Sequence, residues 1–267
     1  MTMLSFITLA IASLLAALCE GKPKLSPLCP SGYLDKDTID NGILNPVNAR
    51  RAKLAQGTQK NGRDGFPATL PPATNMTQLS WGCQLEQDAI KALGNNCQDP
   101  GNPNPPNSGG LANIFDAQYQ APGQYGMAAM KIFKTYLKNY LQQIDVKQLD
   151  VHTRGTVLSN AIYNGGDKDF TGYAELVRAT NMEIGCAMIR CTAPDLITFY
   201  CVMNGKSIQK GDAVYKGTTK NVGRCKEVIC PTGYTCNDTT LLCVKATAKK
   251  IPTGKAFLFS FLFFFGS

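Results

Sequence analysis

The cysteines constrain this chain more than any other feature of its sequence. There are 11 in 267 residues, and Cys19 ends an apolar N-terminal run with which it is expected to be removed. The even number that remains in an exported chain predicts that all of them form disulfides. The residues alone leave the pairing open. The remaining cysteines are Cys29, Cys83, Cys97, Cys186, Cys191, Cys201, Cys225, Cys230, Cys236 and Cys243.

The N-terminal residues have the composition of a secretory signal peptide. Residues 1–19 carry no charged side chain, and Leu4 to Leu18 is rich in Leu, Ile and Ala. Ala17-Leu18-Cys19 closes the run with a small-x-small pattern that a signal peptidase can cut, and the run is too short to span a bilayer comfortably. We therefore expect residues 1–19 to be cleaved, a lead segment over residues 20–33, and an extracellular, secreted protein.

The last four cysteines lie in a segment, residues 222–244, that lacks a core pattern. Four, five and six residues separate them and no C-x-x-C pair occurs, so a zinc site is the weaker interpretation. We expect a small disulfide-rich extension there. Asn75 and Asn237 each begin an N-x-Thr glycosylation motif, which suits loops of an exported protein.

Hydrophobic periodicity predicts helices followed by strands over residues 34–221. Pro46 lies inside the first helical pattern and predicts a kink or a split helix. Two later apolar runs are short and hold β-branched or aromatic residues, which is typical of buried strands. This order predicts an α+β fold built in layers. The predicted helices are Leu34–Gln56, Gln78–Leu93, Gly126–Gln143 and Thr171–Ala179, and the predicted strands are Glu183–Cys191 and Leu196–Met203.

Groups able to perform catalysis are scarce. The one histidine, His152, lies in a polar stretch that we interpret as a connecting segment, without a visible partner for general-base catalysis. No phosphate-binding glycine motif occurs, and Gly109-Gly110 is interpreted as a turn. The net charge of +8 is spread along the chain. It predicts weak attraction to acidic surfaces and, without a basic run that contains aromatics, no nucleic-acid partner.

Two apolar segments leave alternatives open. Tyr119 and Tyr125 flank Pro122-Gly123, and they either line a groove for a lipid tail or pack onto their own domain. Ala256 to Gly266 would rise only about 16 Å as a helix, against about 30 Å for a bilayer core. Residues 245–267 therefore predict either a lipid-anchor signal or an exposed tail without function.

Five segments follow one another in an order that resembles a known family. They are Ile43–Arg51 with Leu54–Gly57, Ala73–Trp81, Leu85–Ala89, Ala112–Phe115, and Ile184 through Cys191 to Cys201. This pattern resembles the CAP superfamily, which contains cysteine-rich secretory proteins, insect venom allergens and plant pathogenesis-related proteins. With its cysteine-rich end, the chain is most similar to the nematode secreted proteins called activation-associated or venom-allergen-like.

The resemblance implies a three-layer α/β/α sandwich with a cysteine-rich, hinge-like extension. It implies pairs between Cys186 and Cys201 and between Cys97 and Cys191, with the last four cysteines paired among themselves. It also implies that a sterol-binding loop of some members corresponds to the region from Phe115 to Tyr125, although its pattern here is weak.

Many members of the family carry two His and two Glu in a central cleft, able to hold a divalent metal. The matching positions in this chain are Val47, Ala112, Thr135 and Gly172. Because Val, Ala and Gly side chains offer no lone pairs to a cation, we expect no metal and no other cofactor.

These observations together predict a secreted, non-catalytic protein that binds proteins or receptors of a host. The partner itself is unknown from the sequence. The alternatives are an extracellular carrier of sterol or lipid and a form attached to the cell surface by a C-terminal lipid anchor, which would be the only contact with a membrane.

Overall fold

The computed structural model describes residues 26–65, 67–94, 109–116, 129–154, 158–192, 195–220 and 222–246. Within these residues helices alternate with short strands, and a hairpin of two long strands, one further short strand and a small cysteine-rich end follow. The α+β class predicted from the sequence is confirmed.

The first predicted helix is two elements. A π-helical turn covers Thr38–Leu44, and helix α1 covers Asn45–Ala55. Pro46 lies in the first turn of α1, directly after the π-helical turn, and its ring supplies no backbone N–H to that turn. Of the two outcomes predicted for Pro46, a kink or a split helix, the structure has the split, as a boundary between a wide turn and a regular helix.

Three further helices are described, and two of them begin elsewhere than the sequence predicted. Helix α2 starts later than predicted because Ser80 and Trp81 pair with a strand. Helix α4 starts earlier because the Asp167 side chain accepts a hydrogen bond from the Phe170 N–H and caps it. Their bounds are α2 Cys83–Leu93, α3 Ala129–Leu141 and α4 Lys168–Val177.

A four-stranded sheet forms the middle layer. Its strands are β1 Ser80–Trp81, β2 Gly110–Asp116, β5 Glu183–Thr192 and β6 Asp195–Met203, in the order β1-β5-β6-β2. β1 runs parallel to β5, and the other neighbours are antiparallel. The strands predicted for β5 and β6 are correct to within a residue. The turn predicted at Gly109-Gly110 is wrong, because Gly110 pairs with Val202 and begins β2.

The side chains of β5 and β6 alternate between two helical layers. Phe199, Cys201 and Met203 belong to the larger core cluster, which also contains Phe133 of α3 and Phe170 of α4. Tyr200 and Val202 face the other way, into a cluster with Ala89 and Leu93 of α2. The sheet is thus covered by α2 on one face and by α1, α3 and α4 on the other, which is the three-layer arrangement.

A second sheet was missed by the sequence analysis. Its strands are β3 Asp150–Arg154, β4 Leu158–Ile162 and β7 Ala213–Tyr215, in the order β3-β4-β7. His152 therefore lies in an edge strand, opposite Asn160, and the prediction of a connecting segment was wrong. β3 is mostly exposed, and a polar strand of this kind carries little hydrophobic signal.

Two of the described disulfides lie within the main domain, and two lie within the C-terminal extension. Cys29 is bonded to Cys83, and Cys186 to Cys201, as the resemblance implied for the second pair. In the extension, Cys225 is bonded to Cys236 and Cys230 to Cys243, around the short strands β8 Tyr234–Cys236 and β9 Cys243–Lys245. Cys97 lies outside the described residues and the side chain of Cys191 is not described, so their pairing remains a prediction.

One buried cation connects the first half of the chain to the second. Arg51 of α1 is fully buried, and its guanidinium donates to the carbonyl oxygens of Leu176 at 2.8 Å, Thr77 at 2.9 Å and Arg178 at 3.1 Å. Burial lowers its pKa to about 9, still well above neutral pH, so the side chain stays charged. It thereby fixes α1 against the end of α4 and the segment before β1.

Replacing Arg51 by methionine should therefore destabilise the whole domain. The Arg51→Met variant keeps side-chain volume but leaves three buried carbonyls without their donors, at a cost of about 3 kcal/mol or more in the free energy of unfolding. Lys53→Met is the matched control on the same helix, because Lys53 is exposed, and it should change stability by less than about 0.5 kcal/mol. Urea unfolding followed by circular dichroism measures both, and equal effects would contradict the role of Arg51.

Candidate functional site

The positions that correspond to the family's metal ligands do not share a described cavity. Val47 is fully buried in the core and Gly172 is buried in α4, whereas Thr135 is exposed on α3 and its hydroxyl donates to the Lys131 carbonyl. Ala112 lies in β2, opposite Tyr200, and its side chain is not described. Val47 and Gly172 offer no ligand atoms, so these positions do not fit a metal ion. Within the described ranges, no group of His, Cys, Asp and Glu side chains could hold one.

Two buried carboxylates, which the sequence analysis did not single out, are bound into the scaffold. Glu86 of α2 accepts hydrogen bonds from the Tyr33 N–H at 3.1 Å and the Leu34 N–H at 3.3 Å through Oε1, and from Trp81 Nε1 at 3.0 Å through Oε2. With the disulfide between Cys29 and Cys83, it holds the N-terminal lead against α2. Glu86 therefore acts as a structural anchor.

Glu175 of α4 has a similar role, because it binds the loop that precedes β7. Its carboxylate accepts from the Ile208 N–H at 2.6 Å and from Asn181 Nδ2 at 2.9 Å. Burial raises the pKa of Glu175, although the hydrogen bonds from Ile208 and Asn181 oppose that change. A raised carboxyl pKa also occurs in catalytic acids, but here both oxygens are occupied by partners that position the loop.

His152, the one candidate for acid–base chemistry, is exposed in the middle of β3. Neither a hydrogen bond nor an ion pair connects its imidazole to any other residue that the structure describes. An imidazole that acts as a general base needs a second group to orient it. The described surroundings of His152 do not supply such a group.

An open groove of about 270 Å³ lies between α1 and α3. Pro46 and Ala49 of α1 and Leu141 of α3 supply apolar surface in it, and Gln142 adds a polar group. Four cationic side chains also line the groove: Arg50, Lys53, Lys134 and Lys138. We name these eight residues the basic groove.

The charges of the basic groove are almost uncompensated. Neither α1 nor α3 contains an acidic residue. Asp145 lies beyond the end of α3 and is 3.3 Å from Arg50, which also donates to Gln59 at 2.8 Å. Lys53, Lys134 and Lys138 are exposed, and no carboxylate that the structure describes lies within ion-pair distance of them. This site carries no signal in the sequence, because its cations come from two helices that are distant along the chain.

A second cavity, of about 440 Å³, opens beside β3 and β4. It is lined by proline and hydroxyl side chains, including Pro71, Pro72, Thr153 and Ser159. It contains no charged or aromatic residue, and therefore offers a partner weaker means of recognition than the basic groove.

Both apolar segments singled out in the sequence lie largely outside the described residues. The backbone of Phe115 lies in β2, opposite Ile197, but its side chain is not described, and Tyr119 and Tyr125 lie outside the described residues. Residues 247–267, which hold the C-terminal apolar run, also lie outside them. Among the described helices, none is both long and apolar enough to cross a membrane.

The two glycosylation motifs have different surroundings. Asn237 is exposed, and its side-chain oxygen accepts from the N–H groups of Thr239 and Thr240. Asn75 is half-buried and accepts from the Lys216 N–H at 3.0 Å, while Thr77 of the same motif is buried. An attached glycan is therefore accommodated most easily at Asn237.

Fold and disulfides together define a disulfide-stabilised α/β/α domain of the exported kind. The profile of the family described as "CAP: Cysteine-rich secretory protein family" matches residues 44–204. This match covers more than half of the chain, and the chain belongs to that family.

A curated protein and several solved structures are similar to this chain. The chain is 24% identical over 225 residues to the Ancylostoma secreted protein of Ancylostoma caninum, a match that covers 83% of this chain and 47% of that protein. The chain thus spans about half the length of this curated relative. The solved structure of BmVAL-1 superposes with a TM-score of 0.59 at 18% identity, over 82% of this chain and 99% of that one. The solved structure of Na-ASP-1 superposes with a TM-score of 0.57 at 22% identity, over 85% of this chain and 52% of that one.

The glycosylation motif at Asn237 can be tested without disturbing its turn. The Thr239→Ala variant removes the hydroxyl that the motif requires, but keeps the backbone N–H that Asn237 binds. We expect it to abolish one endoglycosidase-sensitive step in the mass of the secreted protein, whereas Thr239→Ser should retain that step. A wild-type protein whose mass is unchanged by endoglycosidase would contradict the prediction.

Proposed function

We propose that this chain is a secreted, non-catalytic binding protein whose partner is an extracellular protein or receptor of a host. The observation that carries the proposal is the disposition of its charged groups. Fully or nearly buried Arg51, Glu86 and Glu175 are bound to backbone and side-chain groups of the scaffold, while the three lysines of the basic groove are exposed. Charge is therefore available on the surface for recognition.

Membership of a secretory family, together with a nematode relative named as secreted, supports the extracellular location. The disulfides support it as well, because such bonds persist in oxidising compartments. They also restrict the motion of the surface segments that they join, which lowers the entropy lost when a partner binds. A rigid, exported scaffold is suited to protein recognition.

A pull-down from host serum and plasma-membrane extracts tests the proposal. The mature chain, secreted from insect cells and immobilised, should capture a host protein at physiological salt, and the purified candidate should then bind saturably in surface plasmon resonance. The same chain after reduction and alkylation is the matched control, since it lacks the fold. Absence of any saturable protein partner would contradict the proposal.

The carrier hypothesis predicts a different result with the same material. A carrier should bind a labelled sterol or fatty acid saturably and without a protein partner. The side chains expected to contact the lipid are Phe115, Tyr119 and Tyr125. A hydrolase, by contrast, should lose its activity in the His152→Ala variant. Either result would replace the proposed function.

Attachment to the cell surface is a variant of the same proposal. If residues 245–267 are a lipid-anchor signal, phosphatidylinositol-specific phospholipase C should release the protein from the membranes of cells that produce it. Protein found only in the culture medium before treatment would favour the simply secreted form.

A further inference from the structure

The basic groove combines two properties, convergent cations and an apolar surface between them. Its lysines are convergent, because Lys53 comes from α1 whereas Lys134 and Lys138 come from α3 and line the same depression. Between them lies apolar surface from Pro46, Ala49 and Leu141. Lys134 and Lys138 are four residues apart on α3, and a like-charge pair at that spacing is destabilising unless an anion compensates it.

These properties define the chemistry of a partner. The cationic side chains form the rim of the groove and favour a negatively charged partner. Four cations line the groove, and Asp145 is the one described carboxylate that pairs with any of them. The floor of the groove, formed by Pro46, Ala49 and Leu141, favours an apolar group that fits within a volume of about 270 Å³. A ligand therefore needs carboxylates on both sides of an apolar side chain.

We propose that the basic groove binds an acidic segment of a partner protein, with an apolar side chain on the floor and carboxylates paired with Lys53, Lys134 and Lys138. This inference rests on the proposed function and specifies the kind of surface that is recognised. Segments that lie along a groove between two helices, with apolar anchors inward, are a recurrent mode of peptide recognition.

Two other anionic partners fit the groove less well. A sulfated polysaccharide would satisfy the lysines but would leave the apolar floor without a matching surface. An anionic membrane is approached by convex apolar side chains beside the cations, whereas here the apolar surface lies in a depression between two helices. The concave floor favours the peptide.

A binding experiment on the mature, secreted full-length chain tests this inference. The probe is a fluorescein-labelled peptide of alternating glutamate and leucine, measured by fluorescence anisotropy. The combined variant Lys53→Gln, Lys134→Gln and Lys138→Gln should weaken binding about ten-fold, as expected for the loss of three exposed ion pairs. Lys210→Gln, Lys216→Gln and Lys220→Gln together make the matched control. These lysines are exposed outside the groove, the change in net charge is the same, and binding should be retained.

The floor is tested independently of the charges. Ala49 is exposed in α1, so Ala49→Trp can fill the depression without entering the core, and it should abolish binding of the peptide while leaving the circular dichroism spectrum unchanged. A second peptide, with serine in place of each leucine, should bind at least ten-fold more weakly than the first.

Several results would overturn the inference. These are equal effects of the two lysine sets, unchanged binding by Ala49→Trp, or tighter binding of heparin or of phosphatidylserine vesicles than of the peptide, with the same dependence on the groove lysines. The proposed function fails separately. If the wild type captures a host protein and the groove variant captures it equally well, the function stands and the groove is not its site.

Discussion

The scaffold depends on a charged group that has no carboxylate partner among the described residues. A guanidinium in the protein interior is stable only when its donors are satisfied, and those of Arg51 are satisfied by backbone carbonyls of Leu176, Thr77 and Arg178. Carbonyl oxygens at the end of a helix have no intrahelical donor, and Leu176 belongs to the last turn of α4. One side chain therefore satisfies a helix end and fixes α1 at the same time.

The same helix presents the basic groove. Arg50 and Arg51 are consecutive, and consecutive residues of an α-helix point in directions about 100° apart, so one faces the core and the other the groove. α3 is held equally firmly, because the ring of Phe199 in β6 contacts Phe133, Tyr136 and Tyr140 at centroid distances of 6.0, 5.5 and 6.4 Å. The separation of the two rims is thus set by the core.

The local pattern of the sequence was sufficient to predict some secondary-structure elements and insufficient to predict others. The strands β5 and β6 were predicted because both are apolar runs with β-branched and aromatic residues. In contrast, β2 owes its conformation to pairing with the distant strand β6, and β3 is a mostly exposed, polar strand paired with its neighbour β4. Arg51 could have been recognised as buried, since it shares the helical face of Val47 and Leu54 at spacings of four and three. The basic groove could not, because nothing in a single sequence shows that α1 and α3 are neighbours.

The lysines and the apolar floor of the groove contribute differently to binding, because their interactions differ in size. Each exposed ion pair contributes a net of about 0.2–1 kcal/mol, in which the cost of immobilising the side chain is already included, so the three lysines together supply about the ten-fold in affinity that their replacement should remove. Their field accelerates association with an acidic partner and rejects basic ones. The larger part of the binding free energy must then come from burial of apolar surface, at about 25 cal/mol per Å². The small floor formed by Pro46, Ala49 and Leu141 therefore decides whether an encounter guided by charge becomes a complex.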